Sequence, residues 1–398
     1  MSTDLTTDPA APAGDPGPAP SGTGAQPGAW ALSWHGVRTV AVLELRQRVR
    51  STRWVVALIV WFVVIGAITG LTWAAASATF GSAQPGSSAA GAPAQPVLLG
   101  PTVFGIVVFF VLFLGLLVSP TLSATSINGD RAAGTLATLQ VTLLTPAEIA
   151  VGKLVAAWAA ALAFLAASVP FLVLALAAGG TPVLAVVVCL LVLAVLLAVV
   201  CAIGLGFSAL SARTSGSAVL TYLVVAGLAA LSPIVFGLTF PAVSSADQVR
   251  VWTVPTDHSW ESGEAPKCAW QTQTITQAHT ERTWWLLAIN PFVIVADAAP
   301  QASAASNGFS VDPLGGIRTL VRQARTGPAA ELDWCTETVA QLTGERSTSP
   351  VAARTPDRSP VWPWGLAANV LLGAGGLAVA VRRLSIPQHG LPRGTRVA

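Results

Sequence analysis

Three long stretches of this 398-residue chain contain no charged residue and no histidine. They cover residues 54–129, 154–212 and 214–246. Because the interior of a bilayer offers the backbone no water, apolar runs of this length must form helices or a closed β-barrel. Barrel strands alternate polar and apolar residues, and these runs show no such alternation. The pattern therefore predicts membrane-spanning helices.

Gly, Pro and Ser residues divide the runs into segments of about the 20 residues that a bilayer requires. A weaker sixth segment follows the sequence Trp-Pro-Trp and stops at Arg382 and Arg383. The predicted fold class is an all-α integral membrane protein with six transmembrane helices. The predicted spans are 55–77, 98–119, 154–178, 183–208, 217–240 and 361–381.

Composition excludes a soluble protein. Hydrophobic residues make up 53% of the chain and charged residues 10%, with a mean hydropathy of +0.66, whereas soluble domains carry about 25% charged residues. Residues 1–29 are rich in Pro, Gly, Ala and Thr and contain no Lys or Arg. We interpret them as a disordered cytoplasmic tail and not as a signal peptide.

Basic residues predict the orientation. Six spans put both termini on one side of the membrane, and that side carries 12 of the 21 basic residues. Cytoplasmic segments are enriched in Lys and Arg, so both termini should be cytoplasmic, including the tail 382–398. Only 2 of the basic residues are Lys, which suggests a GC-rich bacterial genome and hence a bacterial cell membrane.

Residues 30–53 precede the first span and contain Val37, Val40 and Val49 at helical spacing, with arginines mostly elsewhere. This pattern predicts an amphipathic helix on the inner membrane surface. A simple basic flank of the first span accounts for it equally well.

Residues 120–153 form the main predicted cytoplasmic loop. We expect 128–130 to break the chain and 131–144 to form a short helix parallel to the membrane. The run Thr145-Pro146-Ala147-Glu148 predicts a capping box with Pro at the first helical position, so a new helix starts there and continues into the third span. An ordinary capped hairpin would carry the same signals.

The 241–360 segment is polar and is predicted to be extracellular. Within it, residues 284–299 are apolar but short, and Asn290-Pro291 interrupts them, which favours a re-entrant or interfacial element. Cys268 and Cys335 would lie in an oxidising compartment, and we expect them to form a disulfide that compensates for a small core.

The sequence provides no catalytic or metal-binding constellation and no signal for nucleic-acid binding. Cys189 and Cys201 are too far apart along one helix to share a metal, so ordinary packing is expected. Gly152-Lys153 lacks the glycine pattern of a phosphate-binding loop, so no cofactor is expected on this chain. An ion-coupled secondary transporter would need titratable groups at membrane depth, which the first five spans lack. That class and a non-transporting membrane scaffold remain the alternatives.

The stretch Asn128-Gly129-Asp130-Arg131-Ala132-Ala133-Gly134-Thr135-Leu136 is followed by Leu143-Leu144-Thr145-Pro146 and by Glu148-Ile149-Ala150-Val151-Gly152-Lys153. These motifs resemble the main cytoplasmic loop of type-2 ABC exporter permeases. The element Asn290-Pro291-Phe292 before the last span also resembles theirs. Two features depart from the family: Asp130 stands where Glu is usual, and the extracellular segment is unusually long.

The resemblance implies a permease subunit of an ATP-driven exporter. The 131–144 helix would be a coupling helix that docks on a separate ATPase subunit, which binds the ATP, and a second permease copy or a paralogue would complete the pathway. The residues assigned to this contact are Asp130, Arg131, Gly134, Thr135, Leu136, Leu139, Leu143, Leu144, Thr145, Pro146, Glu148, Gly152 and Lys153.

Overall fold

The chain is mostly helical, as predicted. The computed structural model describes residues 28–81, 95–134, 144–255, 267–300, 313–343, 348–351 and 359–385. Within these ranges, six helices are long and apolar enough to cross a membrane. This confirms the predicted fold class and the number of spans.

The element boundaries are as follows. The helices are α1 (Trp34–Val49), α2 (Thr52–Gly81), α3 (Gln95–Ser123), α4 (Ser126–Ala132), α5 (Pro146–Ala177), α6 (Val183–Leu210), α7 (Thr214–Ala226), α8 (Ser232–Leu238), α9 (Phe240–Val243), α10 (Trp285–Ala288), α11 (Pro291–Ala298), α12 (Pro313–Thr326), α13 (Thr336–Thr343) and α14 (Trp362–Leu384). The strands are β1 (Ser244–Thr253), β2 (Ala269–Ala278) and β3 (Glu331–Asp333). A π-helical turn, Gly227–Leu231, joins α7 to α8 in the fifth membrane helix.

Helix α6 lies at the centre of the bundle and packs against α3, α5 and α14. Its contact with α14 depends on glycine: a Cβ on Gly206 would lie 2.7 Å from the Gly376 carbonyl oxygen, and one on Gly376 would lie 2.7 Å from that of Ala202. Small residues allow membrane helices to approach this closely. Cys189 and Cys201 are buried free thiols in α6, consistent with the predicted packing role.

One end of the bundle collects most of the basic helix termini. A buried apolar cluster joins the start of α5 to α4 and to the ends of α6 and α14; its members are Ile127, Ala147, Ile149, Ala150, Leu205, Ala209, Ala380, Val381 and Leu384. The last turns of α1 and α14 carry arginines at this end. We call it the basic end.

Helix α4 differs from the prediction. Residues 128–130 do not break the chain, because they lie inside α4; the break falls earlier, at 124–125. The helix ends at Ala132, and the turn after it contains Gly134, whose φ of +72° lies in the left-handed region that glycine adopts without strain. A continuous helix from residue 131 is therefore wrong at its start, and residues 135–143 lie outside the described part.

Helix α1 packs against another helix of this chain, α5. Ser33 caps it, with its hydroxyl accepting from the Gly36 N–H, and Val37 and Val40 are buried against α5. Two apolar residues of the predicted amphipathic face therefore serve a helix–helix contact. The helix is also shorter than the predicted 30–53, since it ends at Val49.

The 244–361 region, which we call the inserted segment, contains a three-stranded sheet that the sequence analysis did not predict. The strand order is β2-β1-β3, with β1 antiparallel to β2 and parallel to β3. The sheet buries Val249 and Val251. A disulfide joins Cys268 to Cys335, with the Cα atoms 5.9 Å apart. Within predicted element 284–299, α10 and α11 form two short helices.

Candidate functional site around Lys153 and the 126–148 region

The start of α5 carries the predicted capping box. The Thr145 hydroxyl accepts from the Glu148 N–H at 3.2 Å, and Glu148 Oε2 accepts from the Thr145 N–H at 2.8 Å. Pro146 occupies the first turn, where its missing N–H costs nothing. The capping prediction is confirmed, and the entry of the loop into the third membrane helix is fixed.

The same cap also fastens α1. Glu148 Oε1 accepts from the Ser33 N–H at 2.8 Å, while the Thr145 hydroxyl donates to the Ala31 carbonyl at 2.6 Å. A Cβ on Gly36 would lie 2.6 Å from the Glu148 carboxyl carbon. One carboxylate therefore serves the starts of two helices, and a glycine makes room for it.

Gly152 and Lys153 face inward. A Cβ on Gly152 would lie 2.6 Å from Cβ of Val40, so this glycine permits α1 to cross α5 closely. The residue Lys153 is only 1% exposed, and its ammonium group binds the carboxylates of Glu44 and Asp130. Both residues thus contact α1 or α4 of this chain.

These three charged groups connect three helices, because Glu44 lies on α1, Asp130 on α4 and Lys153 on α5. Taking an ammonium group out of water is costly unless it is paired and hydrogen-bonded. Here two carboxylates supply that compensation. We call the three residues the Lys153 triad.

A second polar cluster, which the sequence analysis missed, joins α4 to α6 and α7. The Asn128 amide donates to the Ser217 hydroxyl at 2.8 Å and accepts from the Ser208 hydroxyl at 3.1 Å. The Ser208 oxygen also accepts the N–H groups of Ile127 and Asn128 at 3.0 and 3.1 Å. All three side chains are buried. The sequence offers no local signal for this cluster, because Asn128, Gly129 and Asp130 favour a turn.

The remaining predicted loop residues fall into two groups. Arg131 is half-buried near the end of α4, Gly134 is exposed, and Leu144 packs on the apolar cluster of the basic end. The others lie outside the described residues: Thr135, Leu136, Leu139 and Leu143. Among the described residues of this site, the exposed surface is the end of α4 and the turn after it, Ala132 to Gly134.

The element Asn290-Pro291-Phe292 lies at the opposite end of the bundle. Asn290 caps α11, with its side-chain oxygen accepting from the Phe292 N–H at 2.8 Å. The Phe292 ring packs on Phe109 of α3 with centroids 4.5 Å apart. Pro291 is buried at the first helical position.

Asn290 also compensates a break in the fifth membrane helix. Pro233 has no N–H to donate to the preceding turn. In that turn the Ala229 carbonyl accepts from Nδ2 of Asn290 at 2.9 Å, and the Ser232 hydroxyl accepts from the same nitrogen at 3.1 Å. The side chain therefore connects the inserted segment to the π-helical turn.

Asp297 was not singled out by the sequence analysis. Its buried carboxylate accepts from Nε of Arg322 at 2.7 Å and from the N–H groups of Val361 and Trp362 at 2.6 and 2.8 Å. Carboxylates are favourable at helix N-termini. This residue fixes α11 and α12 against the start of α14.

The inserted segment also holds a titratable cluster on its sheet. His279 contacts Glu281 Oε1 at 2.7 Å and Asp247 Oδ2 at 2.9 Å. The hydrogen bonds to Glu281 and then Asp247 raise the pKa of His279. In turn the hydrogen bond from His279 lowers the pKa of Asp247. The imidazolium form is thus favoured between the two carboxylates.

Comparison with known proteins agrees with this architecture. The model of a family described as ABC-2 family transporter protein matches residues 38–311, from α1 to just before α12. A comparison with curated proteins finds no match to this chain. The matched range contains the first five membrane helices, the Lys153 triad and the Asn290 element. The chain therefore belongs to the ABC-2 transporter family, as a multi-pass membrane subunit of an ABC transporter.

Proposed function

We propose that this chain is the permease subunit of an ATP-driven exporter and pairs with a second copy or a paralogue to enclose one pathway. ATP is bound and hydrolysed by a separate ATPase subunit that docks on the 133–144 loop. The observation that carries this proposal is the bracing on both sides of that loop. Asp130 before it and Lys153 after it belong to one partly buried ionic cluster.

The bracing suits the loop for transmitting force. A push on a flexible connector would be absorbed by the connector, whereas this loop begins and ends on helices that are tied together. The capping box fixes the loop to α5, and the triad fixes α4 to α5 and α1. Through Asn128, movement of α4 reaches α6 and α7. A displacement at the loop is thus distributed to most of the bundle.

Charge supports an orientation with the basic end in the cytoplasm of a bacterial cell. Arginines at the ends of α1 and α14 follow the enrichment of basic residues in cytoplasmic segments. In that orientation the inserted segment lies outside, where its disulfide would persist. Both chain termini are then cytoplasmic.

An ion-coupled mechanism has less support. Proton and sodium sites in transporters use titratable groups at membrane depth. Within the six membrane helices, the Asp, Glu, Lys and Arg residues lie near helix ends that belong to the basic end. The paired charges of the triad join helices at that end and do not line a central route.

The test is co-expression of the full chain with candidate ATPases, followed by co-elution and measurement of ATP turnover with and without the permease. Thr145→Ala removes the cap, at about 1 kcal/mol of local helix stability, which should leave insertion intact. We expect it to reduce permease-dependent ATP turnover. Thr39→Ala, which removes an exposed α1 hydroxyl bonded only to its own helix, is the matched control.

Two results would count against the proposal. One is failure of the chain to retain any ATPase subunit on co-purification. The other is unchanged permease-dependent turnover after residues 135–143 are replaced by a flexible Gly-Ser linker, because that replacement removes the docking surface and leaves the triad in place.

A further inference from the structure

A groove of about 640 Å³ runs between α1, the first half of α2 and the end of α3. That volume falls within the range of small-molecule sites, about 300–1,000 Å³. Its two ends differ in chemistry. Arg48, Arg53 and Ser126 line one end, whereas Trp61, Val64 and further apolar residues line the other. Such segregation matches an amphiphile.

The polar end of the groove contains two side-chain hydrogen-bond donors that have no acceptor among the described residues. Nη2 of Arg48 donates to the Leu122 carbonyl at 3.0 Å, but its buried Nη1 has no hydrogen-bond partner among the described residues. The buried hydroxyl of Ser126 also lacks one there. Burial lowers the pKa of Arg48, since its charge is partly removed from water. Arg53 is exposed at the rim. An anion would satisfy these groups.

The charge balance favours an anion as well. Glu44 and Asp130 also line this end, but both are bonded to the Lys153 ammonium. Those three groups together carry one negative charge, and the two arginines outweigh it. Arginine is also the side chain best suited to phosphate oxygens, which it binds through charge-assisted hydrogen bonds.

The apolar end has the depth of one bilayer leaflet. Its lining on α2 runs from Trp54 to Val64, which is about 15 Å at 1.5 Å per residue. Half of a hydrocarbon core of about 30 Å is the same length. The Trp61 indole N–H is already bonded to Ser168 Oγ at 2.9 Å, so its ring offers an apolar surface.

The groove is open to lipid. Val60 and Val64 in its wall are 53% and 37% exposed, like their neighbours Ile59 and Val63 on the outer face of α2. A bilayer lipid therefore reaches the groove sideways, without crossing water. This makes a membrane lipid a better occupant than a soluble anion, which would leave the apolar length unfilled.

We propose that this groove binds one anionic phospholipid, with its phosphate against Arg48, Arg53 and Ser126 and one acyl chain along Trp54 to Val64. The site goes beyond the proposed function, because binding needs neither ATP nor a partner. Failure of this proposal would therefore leave the coupling argument untouched.

The test uses the full chain in phosphatidylcholine vesicles that contain increasing fractions of phosphatidylglycerol with dibrominated acyl chains. Bromine quenches tryptophan on contact. The quenching of Trp54 and Trp61 is the difference between the wild type and the Trp54→Phe/Trp61→Phe double variant, and it measures how much of the groove is occupied by lipid. This difference should saturate at a low phosphatidylglycerol fraction. Brominated phosphatidylcholine should reproduce it only at much higher fractions.

Arg48→Gln should raise the half-saturating fraction by at least about tenfold, since a charge-assisted hydrogen bond is lost. Arg53→Gln and Ser126→Ala break no hydrogen bond among the described residues, so they test the site even if the Arg48 variant misfolds. Both should shift saturation in the same direction. Arg38→Gln, on the exposed side of α1, is the charge-matched control.

Two outcomes would overturn the assignment. Equal weakening by Arg38→Gln and Arg53→Gln would reduce the effect to general surface charge. Equal quenching by brominated phosphatidylcholine at the same fractions would remove the role of the anionic headgroup.

Discussion

Replacement of Lys153 by Met should destabilise the basic end of the bundle. Methionine keeps much of the apolar stem of lysine but removes the charge, so packing against α1 is largely retained. The carboxylates of Glu44 and Asp130, which share this ammonium group, then face each other without a counter-ion. Their repulsion should loosen α1 and α4 from α5.

The size of the effect follows from burial. Removing one partner from a fully buried ion pair costs about 3–5 kcal/mol. Here the lysine side chain is 1% exposed, but those of Glu44 and Asp130 are 15% and 28% exposed. Water can therefore rehydrate the carboxylates in part, and we expect a loss of about 2–3 kcal/mol. The apparent Tm should fall by roughly 5 °C.

The measurement is thermal unfolding of the purified full chain in detergent, followed by intrinsic fluorescence. Lys153→Met combined with Glu44→Gln and Asp130→Asn should recover most of the lost stability, because no uncompensated charge then remains. Arg131→Gln removes a neighbouring basic charge outside the triad and should have little effect. An unchanged Tm for Lys153→Met, or no recovery in the triple variant, would refute the electrostatic explanation.

Two further predictions concern the other end of the molecule. Asn290→Asp keeps the cap on α11 but places an acceptor against the Ala229 carbonyl, so it should cost roughly 1–3 kcal/mol in unfolding, and more than Ser232→Ala. His279→Asn should lower the thermal stability of the inserted segment most near pH 5–6. The pKa of His279 is higher in the folded protein than in the unfolded chain, where it is about 6.5. The stability that His279 contributes is therefore fully present below about pH 6.5 and is lost as the pH rises through the folded pKa. In strong acid the contribution of His279 is lost again, because Asp247, whose pKa is lowered in the folded protein, becomes protonated there. A difference between wild type and variant that is constant from pH 5 to 9 would contradict this.

The membrane helices could be predicted because one physical constraint dominates them. An apolar run in lipid has to satisfy its own backbone, and the helix is the local way to do so. The sequence therefore located the fourth span at 183–208, close to the observed α6 (Val183–Leu210). The capping box was equally local, since every group in it lies within four residues.

Contacts between distant parts of the chain were not readable in the same way. Asn128 looked like a chain break because Asn, Gly and Asp favour turns. In the structure its amide is satisfied by Ser208 and Ser217, which lie about 80 to 90 residues further along. Those bonds make a buried helical position acceptable for a polar residue. Local propensity was overridden by partners that the sequence does not place nearby.

The sheet of the inserted segment was missed for a related reason. Strand β1 alternates only briefly, with Val249 and Val251 buried on either side of the exposed Arg250, and it follows a long apolar run that dominates the pattern. Its parallel partner β3 lies far along the chain, within the loop that the disulfide closes. The pairing of the two cysteines could be expected from their predicted location in an oxidising compartment. The sheet that brings them together could not.

Motif residues in a loop need not all face a partner. Gly152 is required because Val40 of α1 would collide with any Cβ there, and Lys153 is required because Glu44 and Asp130 converge on its ammonium group. Both look like contact residues when only the spacing is considered. Their burial makes them internal braces, so substitutions there should disturb α1 as much as any docking subunit. Within the described part of this region, the surface left open to a partner is the exposed end of α4.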